Sequence, residues 1–287
     1  MSKQPRSLIA KVVVITGGAR GIGLATARAL VGSGARVVIG DLDGDLAQRM
    51  AKELGGETIG LHLDATDHPG FTAFLDDVER ELGPIDVLVN NAGIMPLTLL
   101  EDESDETTAK QLAINLAAVI HGTREAIRRM KPRGAGHIVN IASVAGKVGT
   151  AGGATYSATK HGVVGLCEAV YFELQGSGVE ISCVMPTIVR TELAAGLKQT
   201  RLSSQIDPDE VAAAVVGVLR VPRLEVWVPR RLGTLSKLVR VLPRGVGEAI
   251  MRMGGSDQLL AAAAHSPDRD EYERRASSSA PHGREVA

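Results

Sequence analysis

Short runs rich in Val and Ile alternate with longer helical segments along most of this 287-residue chain, and this alternation constrains the fold more than any other feature. The runs mostly lack polar residues, which is typical of parallel strands that are covered on both faces. The predicted strands are Val12–Thr16, Arg36–Gly40, Thr58–Leu63, Ile85–Val89, His137–Ala142, Val179–Val184 and Glu225–Val228.

The segments between these runs have helical patterns. They are Gly23–Ser33, Asp45–Leu54, Phe71–Leu82, Glu106–Met130, Thr155–Gln175 and Pro208–Leu219. Pro208 followed by the acidic Asp209 and Glu210 marks a helix start. Strands joined by helices form parallel sheets with right-handed crossovers. The sequence therefore predicts an α/β fold, a doubly wound parallel sheet in a single domain with a C-terminal extension.

Composition divides the chain into four parts. We expect residues 1–10 to form an N-terminal lead, 11–229 the α/β domain, 230–264 a helical basic extension and 265–287 a tail. The tail is polar and poor in apolar residues, which predicts disorder.

The basic extension contains an apolar stripe at helical spacing. The stripe consists of Leu235, Leu238, Val239 and Leu242. We expect it to pack on the protein's own core or on a partner subunit. Peripheral contact of residues 230–252 with an anionic membrane surface is the less favoured alternative.

Charge and cysteine content limit the partners and the compartment. Lys and Arg number 32 against 33 Asp and Glu, which argues against a nucleic-acid-binding protein. Cys167 and Cys183 lie in apolar stretches and form no disulfide framework, so they indicate a reducing compartment. The N-terminus does not have the pattern of a signal peptide, and no apolar run reaches membrane-spanning length. We therefore expect a cytoplasmic location.

A glycine-rich loop, Thr16–Gly23, joins the first strand to the first helix. Its glycines let the backbone turn sharply and approach a pyrophosphate, and the helix N-terminus favours negative charge. No Lys-Ser/Thr pair follows the last glycine, so the loop does not indicate ATP or GTP hydrolysis. An ordinary turn is the alternative, but the position between strand and helix favours a dinucleotide.

Asp41 follows the second strand, where a carboxylate can accept hydrogen bonds from the adenosine ribose and repel a 2′-phosphate. It therefore favours NAD over NADP. Arg20 favours the opposite, but Asp41 has more weight because it lies where the ribose must lie. The alternative for Asp41 is a turn residue. Asp64, at the end of the third strand, could bind the adenine amine or cap a turn.

Further polar motifs follow the later strands. Asn90-Asn91-Ala92-Gly93 comes after the fourth strand and Ser143 after the fifth. Tyr156 and Lys160 are four residues apart and share one helix face. A Tyr-x-x-x-Lys pair alone is typical of many solvated helices, and it is the order of all these motifs that makes them specific.

This order closely resembles the short-chain dehydrogenase/reductase family. The matching motifs are TGGARGIG, Asp64, NNAG, Asn115, Ser143 and YSATK, over Lys11 to Leu193. The resemblance implies a Rossmann fold and hydride transfer between a nicotinamide dinucleotide and an alcohol or ketone. It also implies a homo-oligomer formed through the helices that carry Asn115 and Tyr156. We expect no metal site.

The resemblance also implies roles for individual residues. Tyr156 is the general acid/base, whose pKa the Lys160 charge lowers; Ser143 binds the substrate oxygen; and Asn115 connects Lys160 to solvent through water. The implied cofactor-binding residues are Gly17, Arg20, Gly21, Ile22, Gly23, Asp41, Leu42, Asp64, Ala65, Asn91, Ala92, Gly93, Tyr156, Lys160, Pro186, Val189 and Thr191. Thr187 stands where the family usually has glycine, which puts the backbone geometry there in question.

The loop after Thr191 favours a lipophilic substrate, such as a steroid, a retinoid-like alcohol or a fatty compound. Its apolar residues are Leu193, Ala194, Ala195 and Leu197. One alternative is an NADPH-dependent ketoacyl-type reductase, against which Asp41 argues. Another is a dinucleotide-sensing protein without catalysis, against which the intact Ser143, Tyr156 and Lys160 argue.

Overall fold

The computed structural model describes residues 5–197, 205–233, 259–264 and 266–278. Within these ranges a seven-stranded parallel sheet has the order β3-β2-β1-β4-β5-β6-β7. The strands are β1 (Val12–Thr16), β2 (Arg36–Asp41), β3 (Ile59–His62), β4 (Val87–Asn90), β5 (Gly136–Ile141), β6 (Val179–Pro186) and β7 (Glu225–Val228). The predicted doubly wound sheet is confirmed. The strand order reverses between β1 and β4, which opens a crevice at their carboxyl ends.

Helices cover both faces of the sheet. They are α1 (Gly21–Val31), α2 (Gly44–Leu54), α3 (His68–Leu82), α4 (Asp105–Leu112), α5 (Ala118–Met130), α6 (Ala154–Glu173), α7 (Pro208–Arg220), α8 (Leu259–Ala263) and α9 (Asp270–Ser278). The helix predicted over Glu106–Met130 is interrupted by a π-helical turn, Ala113–Ala117, which separates α4 from α5.

Two apolar layers hold the helices against the sheet. Successive residues of β1 point to opposite layers: Val14 packs with side chains of α3, α5 and α6, whereas Val13 and Ile15 pack with those of α1, α2 and α7. Each such side chain contributes about 1.5–3 kcal/mol when it leaves water. Burial on both faces explains why the strands lack polar alternation.

The C-terminal part departs from the prediction. The sequence predicts a disordered tail over residues 265–287, whereas in the structure residues 266–278 form a 3-10 turn and α9, with Tyr272 and Ala276 buried against the body of the protein. Composition misses this because the segment folds by binding to other elements rather than by forming its own core. The predicted stripe Leu235–Leu242 lies outside the described residues.

None of the helices in the described part of the chain has the length and apolarity that crossing a bilayer requires.

A buried polar pair lies at the start of β5. The Nε2 atom of His137 is 2.9 Å from Oγ of Ser182, which itself donates to the Arg223 carbonyl oxygen at 2.6 Å. The Ser182 proton is thereby engaged, so Nε2 carries the proton of a neutral imidazole. The other ring nitrogen, Nδ1, is buried without a partner among the described residues. Burial lowers the pKa of His137 to about 3, and the Arg6 charge adds to the effect.

We expect this pair to make the fold acid-sensitive. Between the ordinary pKa of 6.5 and about 3, the unfolded chain binds a proton at His137 that the folded chain does not. The free energy of unfolding therefore has its full value above pH 6.5. Below pH 6.5 it falls by about 1.4 kcal/mol for each pH unit, as the unfolded chain takes up the proton. Urea unfolding at pH 6.5 and 5 should show this loss, and His137→Gln should reduce it by about 2 kcal/mol. Equal acid slopes in His137→Gln and the wild type would contradict the assignment.

Candidate active site

A cleft of about 710 Å³ lies at the carboxyl ends of the central strands, where the strand order reverses. The predicted cofactor residues line it, except Gly23, which is packed behind the loop. Ser143 also lines the cleft, and Asn115 does not. The structure therefore brings together most of the residues that the sequence motifs single out.

The glycine loop fits a close approach of an anionic ligand. Gly17 has φ +61°, and a Cβ there would lie 2.8 Å from Cα of Ala92. A Cβ on Gly23 would collide with the Gly17 carbonyl oxygen. Arg20, the N-cap residue of α1, makes no side-chain cap, so among the described residues the backbone N–H groups of the first turn, beside Gly21 and Ile22, remain available at the cleft. Uncapped N–H groups at a helix N-terminus are the chemistry that binds a pyrophosphate.

Asn91 and Thr16 hold the glycine loop in place. Nδ2 of Asn91 donates to the carbonyl oxygens of Thr16 at 3.0 Å and Gly17 at 2.8 Å. Oγ1 of Thr16 accepts from the backbone N–H groups of Asn91 at 3.0 Å and Ala92 at 3.1 Å. The NNAG motif thus ties β4 to the loop after β1, a role that the sequence reading did not anticipate.

Asp41 has the turn role that the sequence left open and also borders the cleft, while its binding of the ribose stays a prediction. Its carboxylate accepts from the backbone N–H groups of Ala19 and Asp43, at 3.0 and 3.1 Å, so it is a turn residue that also lines the cleft. Arg20 forms ion pairs with Asp43 at 3.0 Å and Glu192 at 3.7 Å. The Arg20 charge is therefore opposed by two carboxylates.

The part of the cleft beside the ends of β2 and β3 contains Leu42, Asp64 and Ala65. Oδ1 of Asp64 accepts from the backbone N–H and the hydroxyl of Thr66, at 2.8 and 2.7 Å. The turn-capping alternative is therefore present here as well, while Asp64 still borders the cleft.

Ser143, Tyr156 and Lys160 meet at the other end of the cleft. Oγ of Ser143 accepts from the Ala145 N–H at 3.1 Å, which starts a 3-10 turn after β5. Tyr156 and Lys160 lie in the first two turns of α6, with exposed fractions of 7% and 4%. Nζ of Lys160 donates to the Ile141 carbonyl oxygen at 3.0 Å and lies 5.7 Å from the centre of the Tyr156 ring.

Burial dominates the titration of both groups. It raises the pKa of Tyr156 to about 12, and the hydrogen bond from Ser143 opposes this rise. It lowers the pKa of Lys160 to about 8. At neutral pH, Tyr156 is therefore a protonated phenol and Lys160 is mostly an ammonium ion. The predicted lowering of the Tyr156 pKa by Lys160 stays a prediction, since burial and the Ser143 hydrogen bond are the causes of the shift in this structure.

Asn115 holds the loop after β4. It lies fully buried in the π-helical turn, where Oδ1 accepts from the Ile94 N–H and Nδ2 donates to the Ile94 carbonyl oxygen, both at 2.8 Å. A Cβ on Gly93 would lie 3.2 Å from Oδ1 of Asn115 and 3.7 Å from Nζ of Lys160. Gly93 thus lets the two side chains approach each other. The water link between them stays a prediction.

The end of β6 forms the remaining wall. Pro186, Val189 and Thr191 line the cleft, and Val189 forms a bridge with Ile206. The backbone N–H of Thr187 donates to the Val228 carbonyl oxygen at 3.0 Å, so threonine in place of the family glycine continues the pairing of β6 with β7.

Sequence reasoning missed the C-terminal residues of the site. Leu260, Tyr272, Arg275 and Ala276 line the cleft although they come from the extension and the predicted tail. The one available signal was an aromatic residue, Tyr272, inside an otherwise polar segment.

Comparisons with known proteins agree with this site. The family model for short chain dehydrogenase matches residues 11–202. The 3-alpha-(or 20-beta)-hydroxysteroid dehydrogenase of Mycobacterium tuberculosis is 37% identical over 213 residues, covering 73% of this chain and 82% of that protein. Trans-4-hydroxycyclohexanecarboxylate dehydrogenase of Sinomonas cyclohexanicum is 36% identical over 69% of this chain and 80% of its own length. A short chain dehydrogenase/reductase from Burkholderia phymatum in complex with NAD superposes with a TM-score of 0.75 at 27% identity, covering 82% of this chain and 94% of that one.

We expect Asn115 to contribute strongly to stability. Asn115→Leu keeps the volume but leaves the buried N–H and C=O of Ile94 without partners, at a cost of ~1–3 kcal/mol for each group. The free energy of unfolding, measured by urea denaturation, should fall by ~2–5 kcal/mol. Gln175→Leu removes an exposed side-chain amide and should change it by no more than ~0.5 kcal/mol. A wild-type midpoint for Asn115→Leu would contradict the bracing role.

Proposed function

The chain belongs to the short-chain dehydrogenase/reductase family, and from the chemistry of its cleft we propose that it transfers hydride between NAD and a lipophilic alcohol or ketone. The family binds a nicotinamide dinucleotide and acts on CH–OH groups. The observation that carries the proposal is that Ser143, Tyr156 and Lys160 meet at one end of a cleft whose other end is the glycine loop.

The cleft fits the dinucleotide. When bound, that group supplies the hydride acceptor or donor at its nicotinamide ring. Gly17, Gly21 and Ile22 would hold the pyrophosphate with backbone groups, and Asp41 would accept from the adenosine ribose hydroxyls. The residues that would surround the adenine and the nicotinamide are Leu42, Asp64, Ala65, Asn91, Ala92, Gly93, Lys160, Pro186, Val189 and Thr191.

The three polar side chains divide the proton chemistry between them. Tyr156 donates its phenolic proton to the carbonyl oxygen of a ketone, or takes the proton of an alcohol in the reverse direction. Lys160, which is charged below about pH 8, stabilises the phenolate that forms. The Ser143 hydroxyl donates to the reacting oxygen and stabilises its developing negative charge.

The preference for NAD over NADP is supported by the pairing of Arg20. A 2′-phosphate needs an available cation, whereas Arg20 is engaged by Asp43 and Glu192. Asp41 adds a further negative charge at the position of the ribose. The same arrangement makes an NADPH-dependent ketoacyl-type reductase the weaker alternative.

A lipophilic substrate is supported by the wall opposite the glycine loop. It is formed mainly by apolar side chains, namely Ile94, Met95, Val144, Val148, Ile188, Leu193, Leu197 and Leu260. The names of the relatives, which describe dehydrogenases of hydroxysteroids and hydroxycyclohexanecarboxylates, support a cyclic secondary alcohol.

The assembly and compartment are part of the proposal. Leu112 and Ile120 are exposed on α4 and α5, which supports a homo-oligomer formed through these helices. Cys167 and Cys183 are free buried thiols, which supports a cytoplasmic location.

Tyr156→Phe keeps the ring but removes the proton donor. We expect turnover to fall by at least ~10²-fold, the usual contribution of general acid/base catalysis. The assay follows reduced-nicotinamide absorbance with NAD and a panel of cyclic alcohols. Tyr171→Phe, on the same helix but away from the cleft, should retain wild-type turnover. Wild-type turnover in Tyr156→Phe would remove Tyr156 from the mechanism, and a wild type inactive on every alcohol with either dinucleotide would favour a dinucleotide-sensing protein.

Asp41→Asn removes the charge but retains an oxygen that can accept a backbone hydrogen bond. We expect the dissociation constant of NADP divided by that of NAD to fall by at least ~tenfold, because a hydrogen bond to a charged group contributes ~1.5–3 kcal/mol. Asp43→Asn should move it in the same direction, because it removes one of the two carboxylates that oppose Arg20. Asp45→Asn, an exposed change in α2, should leave the ratio unchanged. The proposal of NAD preference fails if Asp41→Asn binds both dinucleotides as the wild type does.

A further inference from the structure

Arg269 is the most deeply buried charged side chain near the cleft, with an exposed fraction of 1%. Its Nη1 donates to the carbonyl oxygens of Leu193 at 3.1 Å and Ala195 at 2.9 Å, and its Nη2 donates to that of Met95 at 2.7 Å. Its Nε donates to Glu273 at 3.0 Å. A buried guanidinium requires such partners. One side chain therefore joins the loop after β6 to the loop after β4.

Tyr272, one turn further along the chain, completes the attachment. Its hydroxyl oxygen accepts from the Met95 backbone N–H at 2.7 Å, and its ring lies 4.9 Å from Cζ of Arg269. Both polar groups of Met95 are thus held by these two side chains, just as both groups of Ile94 are held by Asn115. We call this pair the Arg269–Tyr272 clasp.

Glycines in the body of the protein leave room for the C-terminal segment, by which we mean α8 and residues 266–278. A Cβ on Gly152, where φ is +82°, would lie 2.5 Å from the backbone nitrogen of Ala261. A Cβ on Gly153 would lie 2.7 Å from Leu260, and one on Gly196 would lie 2.8 Å from Oγ of Ser266. The C-terminal segment therefore packs directly against the backbone of these glycines, where any larger side chain would collide with it.

The segment also faces the reacting centre. Leu260 packs with Tyr156 and Leu197, while Tyr272 packs with Ile94. Tyr272, Arg275 and Leu260 line the same cleft as Tyr156. The segment lies beyond residue 202, where the family match ends.

We propose that the C-terminal segment forms one wall of the substrate site and that Arg269 is a positioning residue, which keeps the loops at Met95 and Leu193–Ala195 closed around the substrate. The substrate part of this proposal rests on the proposed oxidoreductase function. The glycine loop is held by Asn91 and Thr16 rather than by the segment. Loss of the clasp should therefore weaken substrate binding and leave dinucleotide binding in place.

The kinetic test compares variants of the full-length protein. Arg269→Met keeps the length of the side chain and removes every donor, Arg269→Lys keeps the charge, and Tyr272→Phe removes one acceptor. Arg274→Met is the control, because Arg274 is exposed on α9, the helix that follows Arg269, and donates to the Asp270 carbonyl oxygen within that helix. Cyclohexanol and a hydroxysteroid are the probes, with NAD as cofactor.

We expect KM for the alcohol to rise at least ~tenfold in Arg269→Met and less in Arg269→Lys and Tyr272→Phe, with kcat less affected. The dissociation constant of NADH should stay within about twofold. NADH binding can be followed by energy transfer from Trp227, the single tryptophan, which lines the cleft. Wild-type KM values in Arg269→Met and Tyr272→Phe would overturn the proposal. An equal loss of NADH and alcohol binding would also overturn it, because Arg269 would then stabilise the whole fold only.

Hydrogen exchange tests the clasp without any substrate. Peptides that contain Met95 and residues 193–195 should exchange faster in Arg269→Met, and the Met95 amide should exchange faster in Tyr272→Phe, while Arg274→Met should match the wild type. Unchanged exchange would overturn the clasp. If no alcohol is turned over by the wild type but exchange rises as expected, the proposed oxidoreductase function fails and the clasp stands.

Discussion

Side-chain hydrogen bonds to the backbone of the connecting loops determine the shape of this cleft. Beyond the carboxyl ends of the strands, the loops have peptide groups that the sheet cannot pair, and buried peptide groups require partners. Thr16 and Asn91 supply them for the glycine loop. Asn115 supplies them for Ile94, and Arg269 with Tyr272 supply them for Met95. Ser143, Tyr156 and Lys160, the proposed reacting groups, line the same cleft, so their placement depends on residues that need not touch a substrate.

Burial gives the reacting centre its chemical character. The phenol of Tyr156 and the ammonium of Lys160 are both nearly inaccessible to water, and burial shifts each pKa toward the neutral form. A charge that appears between them is poorly screened, so their mutual stabilisation is strong when a proton moves. The same burial lowers the pKa of His137, which lies outside the cleft, and there it is expected to reduce stability in acid.

The sequence predicts the sheet well because helices cover both faces of it. Strands buried on both faces consist of β-branched residues without polar alternation, a pattern that is easily recognised. It also predicts which residues reach the cleft, because strand ends in a parallel sheet meet at one edge. Composition suggests a disordered tail, yet residues 266–278 fold, because a handful of contacts from Arg269 and Tyr272 outweigh the polarity of their neighbours. Periodicity likewise predicts one helix over Glu106–Met130, because the π-helical turn at Asn115 depends on a tertiary contact with Ile94.

The clasp grips main-chain atoms, and this has an evolutionary consequence. Every residue type offers the same carbonyl oxygen, so the bonds from Arg269 to positions 95, 193 and 195 place no demand on which side chains stand there. Those side chains can change under selection for a new substrate while the attachment of the C-terminal segment persists. In a cleft held by main-chain contacts, the substrate selectivity can therefore evolve while the arrangement of the loops is conserved.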